Sequence, residues 1–157
     1  NGARIFLKNV KTPENFGVAK IIKNKIEKIV EKPRNYISNY AITGLYFFDN
    51  KVVNYAKKLK PSKRGEIEIT DILNIYKNND CLYHEHIGRG AIWSDAGKIE
   101  DMTNVSAFVQ SVEKVQSIKI ACLEEIALAK KWINKTTILK NINFYGNCDY
   151  SNYLKNL

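Results

Sequence analysis

Four short segments combine charged side chains with glycine or aromatic residues in a way that packing alone does not require. They are Val30-Glu31-Lys32-Pro33, Thr43-Gly44-Leu45-Tyr46-Phe47-Phe48-Asp49, the run from Arg64 to Asp71 (RGEIEITD), and the run from Gly88 to Gly97 (GRGAIWSDAG). Each falls at a strand end or in a loop, where functional side chains concentrate. Lys32 and Arg64 are cations suited to a phosphate. Glu31, beside Lys32, is an acceptor-only group suited to sugar hydroxyls. Asp95 lies between a strand end and Gly97, where a carboxylate can coordinate Mg²⁺. Read together, these residues describe a site for a phosphorylated sugar and a metal.

Each residue also has a plainer reading. Glu31 and Lys32 suit a solvated strand end, Arg64 an exposed position in a Ser/Lys-rich loop, Asp95 a turn, and Tyr46 the core side of an apolar strand. No single signal is specific; the set gains its meaning from order and combination. His84 and His86 alternate on one strand face and read as structural or exposed. No Ser/His or Cys/His nucleophile is called for.

The elements that must carry these residues follow from period and punctuation. Ala3–Val10 reads as a strand, and Lys11–Phe16, with Pro13, as a loop. Val18–Ile22 and Ile26–Val30 read as a hairpin turning at Asn24, with Pro33 ending the second strand. Tyr40–Phe48 (YAITGLYFF) reads as a buried strand. Beyond it, Val52, Val53, Ala56 and Leu59 mark a helix capped by Asp49 or Asn50. Thr70 or Asp71 is the expected cap of a helix bearing Ile72, Leu73, Ile75 and Tyr76. Cys81–Ile87 and Ala91–Trp93 read as strands around Gly88-Arg89-Gly90. Met102, Val105, Phe108, Val109 and Val112 then mark a long amphipathic helix. Helices are expected over Leu123–Lys131 and Thr136–Ile142, with a last one capped by Asp149. The order is β-rich first and helical last, a mixed α/β piece with a helical C-terminal layer. No GxGxxG and no GxxxxGK[ST] is present to open a nucleotide-binding unit.

Composition narrows the function classes. With 157 residues, 45% hydrophobic and 26% charged, the chain can bury a core without disulfide or metal staples. The net charge of +9 invites an anionic partner, but the lysines are scattered and no run of five basic residues occurs, so a nucleic-acid binder is not expected. Cys81, Cys122 and Cys148 are odd in number, far apart and without a CxxC pair, so free thiols in a reducing cytoplasm are expected. No apolar run has the length of a membrane helix and no signal-peptide pattern opens the chain. The first residue is Asn1 rather than methionine, as expected of a piece of a longer protein.

Taken in order, FGVAK, VEKP, SNYAITGLYFFDNKVV, LKPSKRGEIEITDI, HIGRGAIWSDAG, FVQSVEKVQSIKIACLEEIA and YSNYLKNL resemble the glucose-1-phosphate thymidylyltransferase family across nearly the whole chain. The resemblance implies a nucleotidyltransferase (GT-A-like, Rossmann-like) fold: a mixed, mainly parallel sheet with helices on both faces and a helical C-terminal layer. Residues 1–120 would be the sugar-phosphate-binding half and 121–157 the C-terminal helical segment. The nucleotide-binding half, with its GxGTRL loop and first Mg²⁺ aspartate, is absent. Gly17, Glu31 and Lys32 would contact glucose 1-phosphate, with Lys32 and Arg64 on its phosphate, while Ile42 and Tyr46 line the sugar pocket. Asp95 would bind Mg²⁺. Gly88 and Arg89, with Glu125 and Ile126, match a second, regulatory nucleotide-sugar site near a subunit interface, although Ala129 and Lys131 stand where the family usually has Arg and Gly.

The implied reaction joins glucose 1-phosphate to dTTP, giving dTDP-glucose and pyrophosphate for dTDP-rhamnose biosynthesis. The isolated chain is expected to be inactive, and the full-length protein to be a cytoplasmic homo-oligomer. A non-catalytic sugar-phosphate-binding or oligomerisation module is the rival reading. The expectation that carries the rest is that Glu31, Lys32, Arg64 and Asp95 converge on one pocket.

Overall fold

The computed structural model describes residues 1–97 and 99–157. It divides into two compact units, Asn1–Trp93 and Ser94–Leu157.

The first unit is a five-stranded sheet with helices packed on it. The strands are β1 (Ala3–Asn9), β2 (Gly17–Ile22), β3 (Lys25–Glu31), β4 (Tyr40–Phe48) and β5 (Leu82–His86), ordered β3-β2-β4-β1-β5. The sheet is mixed, as expected, and within this part of the parent fold most ladders are antiparallel. The β1–β4, β2–β3 and β2–β4 ladders are antiparallel, and only β1–β5 is parallel. The reason lies in the connections: β2, β3 and β4 follow one another without a helical crossover, whereas β5 is reached through α1 (Val52–Ala56) and α2 (Ile69–Asn78).

Period-2 alternation places Ala3, Ile5 and Leu7 of β1 in the interior, and α2 adds Ile72, Leu73 and Tyr76. Ile5, Leu7, Ala19, Ile29, Ile42 and Leu73 form the main core, each large side chain contributing about 1.5–3 kcal/mol by leaving water. The β2–β3 hairpin turns through Lys23 and Asn24, both left-handed at φ 47° and 61°, as a tight two-residue turn demands.

Several local expectations change. Tyr40–Phe48 is only half buried, with Leu45 50% and Phe47 59% exposed. Its ladder with β1 slips: Ile5 pairs with Tyr46 while Leu7 pairs with Ile42, so β4 carries extra residues and Gly44 sits there at φ +78°. Asp49 does not cap α1 directly; its carboxylate accepts from the Gly2 and Lys51 N–H groups and from the Tyr76 hydroxyl. Neither Thr70 nor Asp71 caps α2. Glu68 holds the cap position with extended backbone, and Thr70 and Asp71 fall in the first turn. Ala91–Trp93 is not a strand, because the Lys8 ammonium donates to the Gly88 and Ala91 carbonyls and the Trp93 indole N–H turns to the Thr43 carbonyl.

The second unit is helical: α3 (Ile99–Gln116), α4 (Leu123–Ala129), α5 (Lys135–Tyr145) and α6 (Asp149–Leu154). The apolar stripe of α3 does form, but no residue of that helix is buried among those described. The unit's core is Cys122, Ile138, Ile142 and Leu154. Within it Glu124 is buried and accepts from the Tyr145 and Tyr150 hydroxyls and the Asn141 amide. Cys148, not Asp149, caps α6, its sulfur accepting from the Ser151 N–H at 3.4 Å. All three cysteines are free.

Candidate functional site

The sheet brings together, through register, several of the residues expected to form a sugar site. Gly17, at the start of β2, pairs with Glu31, at the end of β3. A Cβ on Gly17 would stand 3.0 Å from Glu31 Oε2, 3.2 Å from Thr70 Cγ2 and 3.7 Å from Ile42 Cδ1. Three strands and the first turn of α2 therefore meet at one point, which only a residue without a side chain leaves open. Tyr46 is near enough for the Glu31 charge to act on it: burial first, then that charge, pushes its hydroxyl above the usual tyrosine range.

Beside this point lies a cleft of about 300 Å³, lined among others by Glu31, Ser62, Arg64, Glu68, Thr70 and Asp71. Arg64 is not a bare loop cation. Its Nη2 reaches Glu66 Oε2 at 2.9 Å, and its Nη1 reaches Glu68 Oε1 at 3.3 Å and Glu31 Oε1 at 3.9 Å. Ser62 ties the loop together: its hydroxyl donates to Glu68 Oε1 at 2.9 Å and accepts from the Arg64 N–H at 3.1 Å.

Burial, followed by the neighbouring Glu68 charge, raises the Glu31 carboxyl above the usual carboxylate range; Lys32 and Arg64 pull it back. Lys32 follows on exposed backbone at φ +40°, with its N–H donating to the Phe16 carbonyl at 3.0 Å. Its ammonium forms no ion pair among the described residues.

Asp95 belongs to the second unit, where it is exposed and its carboxylate folds toward Gly97; a Cβ there would lie 3.3 Å from Asp95 Oδ2. Among the described residues no group of three or more His, Cys, Asp or Glu side chains is arranged to hold a metal. One free carboxylate still fits Mg²⁺, which takes one or two protein carboxylates and completes its shell with water and phosphate oxygens. The residues matched to a regulatory site are divided between the units. Gly88 and Arg89 are exposed after β5 in the first, while Glu125 and Ile126 lie on α4 in the second, with Glu125 accepting from the Tyr153 hydroxyl.

Residues 1–112 match the family model described as nucleotidyl transferase. The chain belongs to that family. Among its relatives, the glucose-1-phosphate thymidylyltransferase of Neisseria meningitidis serogroup A is 40% identical over 158 residues, covering 100% of this chain and 55% of the relative. That of Mycobacterium tuberculosis is 35% identical with the same coverage. The chain thus spans about half the length of the curated relatives it matches. A Bacillus anthracis chain described as a glucose-1-phosphate thymidylyltransferase, crystallised with sucrose, superposes at a TM-score of 0.61. It is 45% identical, over 68% of this chain and 43% of that one. A UDP-glucose pyrophosphorylase complexed with UDP-glucose also superposes at 0.61 with 23% identity, which speaks to the fold alone.

Residue type marks no role for Ser62, Glu68 or Trp93, and marks Thr70 for helix capping alone, although all four lie in or beside the charged and glycine-bearing segments. Trp93 stands edge-on to Phe16 at 5.1 Å, next to Gly17, with its indole N–H on the β4 bulge carbonyl at 3.0 Å. The i,i+4 spacing of Arg64 and Glu68 was the one available sign of their pairing, and it applies in a helix, which this loop is not.

Proposed function

We propose that this chain is the sugar-phosphate-binding part of a glucose-1-phosphate thymidylyltransferase, an enzyme making dTDP-glucose and pyrophosphate from dTTP and glucose 1-phosphate. The observation that carries this reading is the convergence of Gly17, Glu31, Ile42 and Thr70 beside the Arg64 cleft. Glu31 accepts hydroxyl hydrogens of the hexose, and Ile42 and Tyr46 give its ring an apolar wall with one polar edge. Gly17 leaves the room. Lys32 and Arg64 neutralise the phosphate and turn its oxygen toward the α-phosphorus of the nucleotide.

Nucleotidyl transfer asks for positioning and charge neutralisation rather than a covalent catalyst, and these side chains supply both for the acceptor substrate. Mg²⁺, when bound through Asp95, supplies further neutralisation of phosphate charge. The thymine base, the cytoplasmic setting and the place in dTDP-rhamnose biosynthesis rest on the likeness to the named relatives. So do the homo-oligomer and a second nucleotide-sugar site at Gly88, Arg89, Glu125 and Ile126.

Calorimetric titration of the chain with glucose 1-phosphate tests the reading. Saturable binding that Glu31→Ala removes is the expected result; no binding by the folded chain overturns it. In a turnover assay with dTTP, Mg²⁺ and glucose 1-phosphate, the chain by itself is expected to be inactive. A full-length relative carrying the aspartate change equivalent to Asp95→Asn should lose most of its activity.

A further inference from the structure

The three carboxylates around Arg64 are not equivalent. Glu68 is held from two sides: its side chain is 11% exposed, and its Oε1 takes both the Ser62 hydroxyl at 2.9 Å and Arg64 Nη1 at 3.3 Å. Ser62 is itself fixed, since its N–H donates to the Glu66 carbonyl at 2.8 Å and its carbonyl accepts from Gly65 N–H at 2.9 Å. Glu66 is different. Its side chain is 62% exposed, and among the described residues its carboxylate accepts from Arg64 Nη2 alone, at 2.9 Å.

We propose that Glu68 and Ser62 are positioning residues that aim Arg64 at the bound phosphate, whereas Glu66 is a competing lid on that same guanidinium. The inference rests on the reading of Arg64 as a phosphate ligand given above. An arginine offers two faces of its fork, and a phosphate fits one of them bidentately. Glu68 keeps Nη1, so an arriving phosphate must take Nη2 and Glu66 must leave it. A solvent-exposed carboxylate on an arginine is worth little and is easily displaced, yet it occupies the donor and opposes a second anion through its own charge. The buried anchor acts in the opposite sense, because Arg64 has several rotatable bonds and without Glu68 it spends its time elsewhere.

The two neighbours of Arg64 are therefore expected to respond with opposite signs. Titrations of the chain with glucose 1-phosphate, and separately with the neutral methyl α-D-glucopyranoside, read this out. Glu66→Gln should tighten glucose 1-phosphate by about twofold to fivefold, the scale of an exposed ion pair, and leave the neutral glycoside unchanged. Glu68→Gln should weaken glucose 1-phosphate by about tenfold, the scale of a largely buried charge-assisted pair.

Ser62→Ala, which changes no charge, should weaken glucose 1-phosphate in the same direction as Glu68→Gln. That result separates aiming from a bulk electrostatic effect. A Glu66→Gln chain that binds glucose 1-phosphate no better than the parent overturns the inference, as does one that shifts both ligands equally. A parent chain that binds neither ligand overturns the sugar-phosphate reading and this inference together.

Discussion

Gly17 and Glu31 face one another across the β2–β3 ladder, and the side chain that Gly17 lacks is the space in which the carboxylate, Thr70 and Ile42 meet. The backbone there is an ordinary strand, so Gly17→Ala strains no dihedral. Its methyl would press on Glu31 Oε2 at 3.0 Å and Thr70 Cγ2 at 3.2 Å. The expected outcome is a chain that melts within about 1 kcal/mol of the parent but binds glucose 1-phosphate about tenfold more weakly, because a small displacement of an oriented group costs binding. Thermal melts and calorimetry on the same sample check both halves.

Glu31 should impose a pH dependence on sugar binding. Burial and Glu68 raise its carboxyl above 4.5, so on acidification it takes up its proton earlier than a free glutamate does. The carboxylate form is the one that accepts from two hydroxyls. Affinity for methyl α-D-glucopyranoside, which does not itself titrate, should therefore rise with pH through a window lying above 4.5, and Glu31→Gln should flatten the profile. The same raised value means that ionising Glu31 costs folding stability as pH rises through that window, so the gain in binding is opposed by a small loss in stability.

Gly44 sits in the irregular stretch of β4 between Ile42 and Tyr46, whose ladder partners on β1 are Leu7 and Ile5. Its φ of +78° is left-handed and nothing lies within 4 Å of a Cβ built there, so a substitution meets strain rather than a clash. Gly44→Ala should cost about 1–2 kcal/mol in urea unfolding. It should also weaken sugar binding by shifting Tyr46.

Glu124 makes the second unit acid-sensitive. Burial alone would raise its carboxyl, but hydrogen bonds from Tyr150, Tyr145 and Asn141 outweigh burial and hold it below the usual range. A group depressed in the folded state contributes stability that is present above its unfolded value of about 4.5 and is lost as pH falls through the folded value. Glu124→Gln should cost about 1–3 kcal/mol at pH 7, since an amide cannot accept as the carboxylate does. The difference from the parent should shrink as the pH is taken below 4. Urea titrations of both chains at pH 7 and at pH 3 measure it.

Asn134 tests a local element by itself. Its side chain accepts from the Thr137 N–H at 3.0 Å at the start of α5. Asn134→Ala should cost about 1 kcal/mol, while Asn134→Asp should be near neutral, both read by urea unfolding.

Much was determined by the sequence alone: the hairpin at Asn24, the strand over Tyr40–Phe48, the helices after residue 99, and the segments that hold Gly17, Glu31, Arg64 and Thr70. These depend on period, turn chemistry and local residue type, which neighbours in the chain set for one another. Tertiary structure alone decided that Glu31 meets Gly17 and Ile42 and that Arg64 is clasped by Glu66 and Glu68. It also decided that the side chain of Glu68, at the cap position of α2, bonds Ser62 and Arg64 rather than the helix N–H groups, and that β4 runs antiparallel to β1 and β2. These relations join positions as much as 53 residues apart, the separation of Gly17 and Thr70, and 33 for Glu31 and Arg64. Their cause is ladder register and the docking of α2, and no local pattern of side chains encodes either.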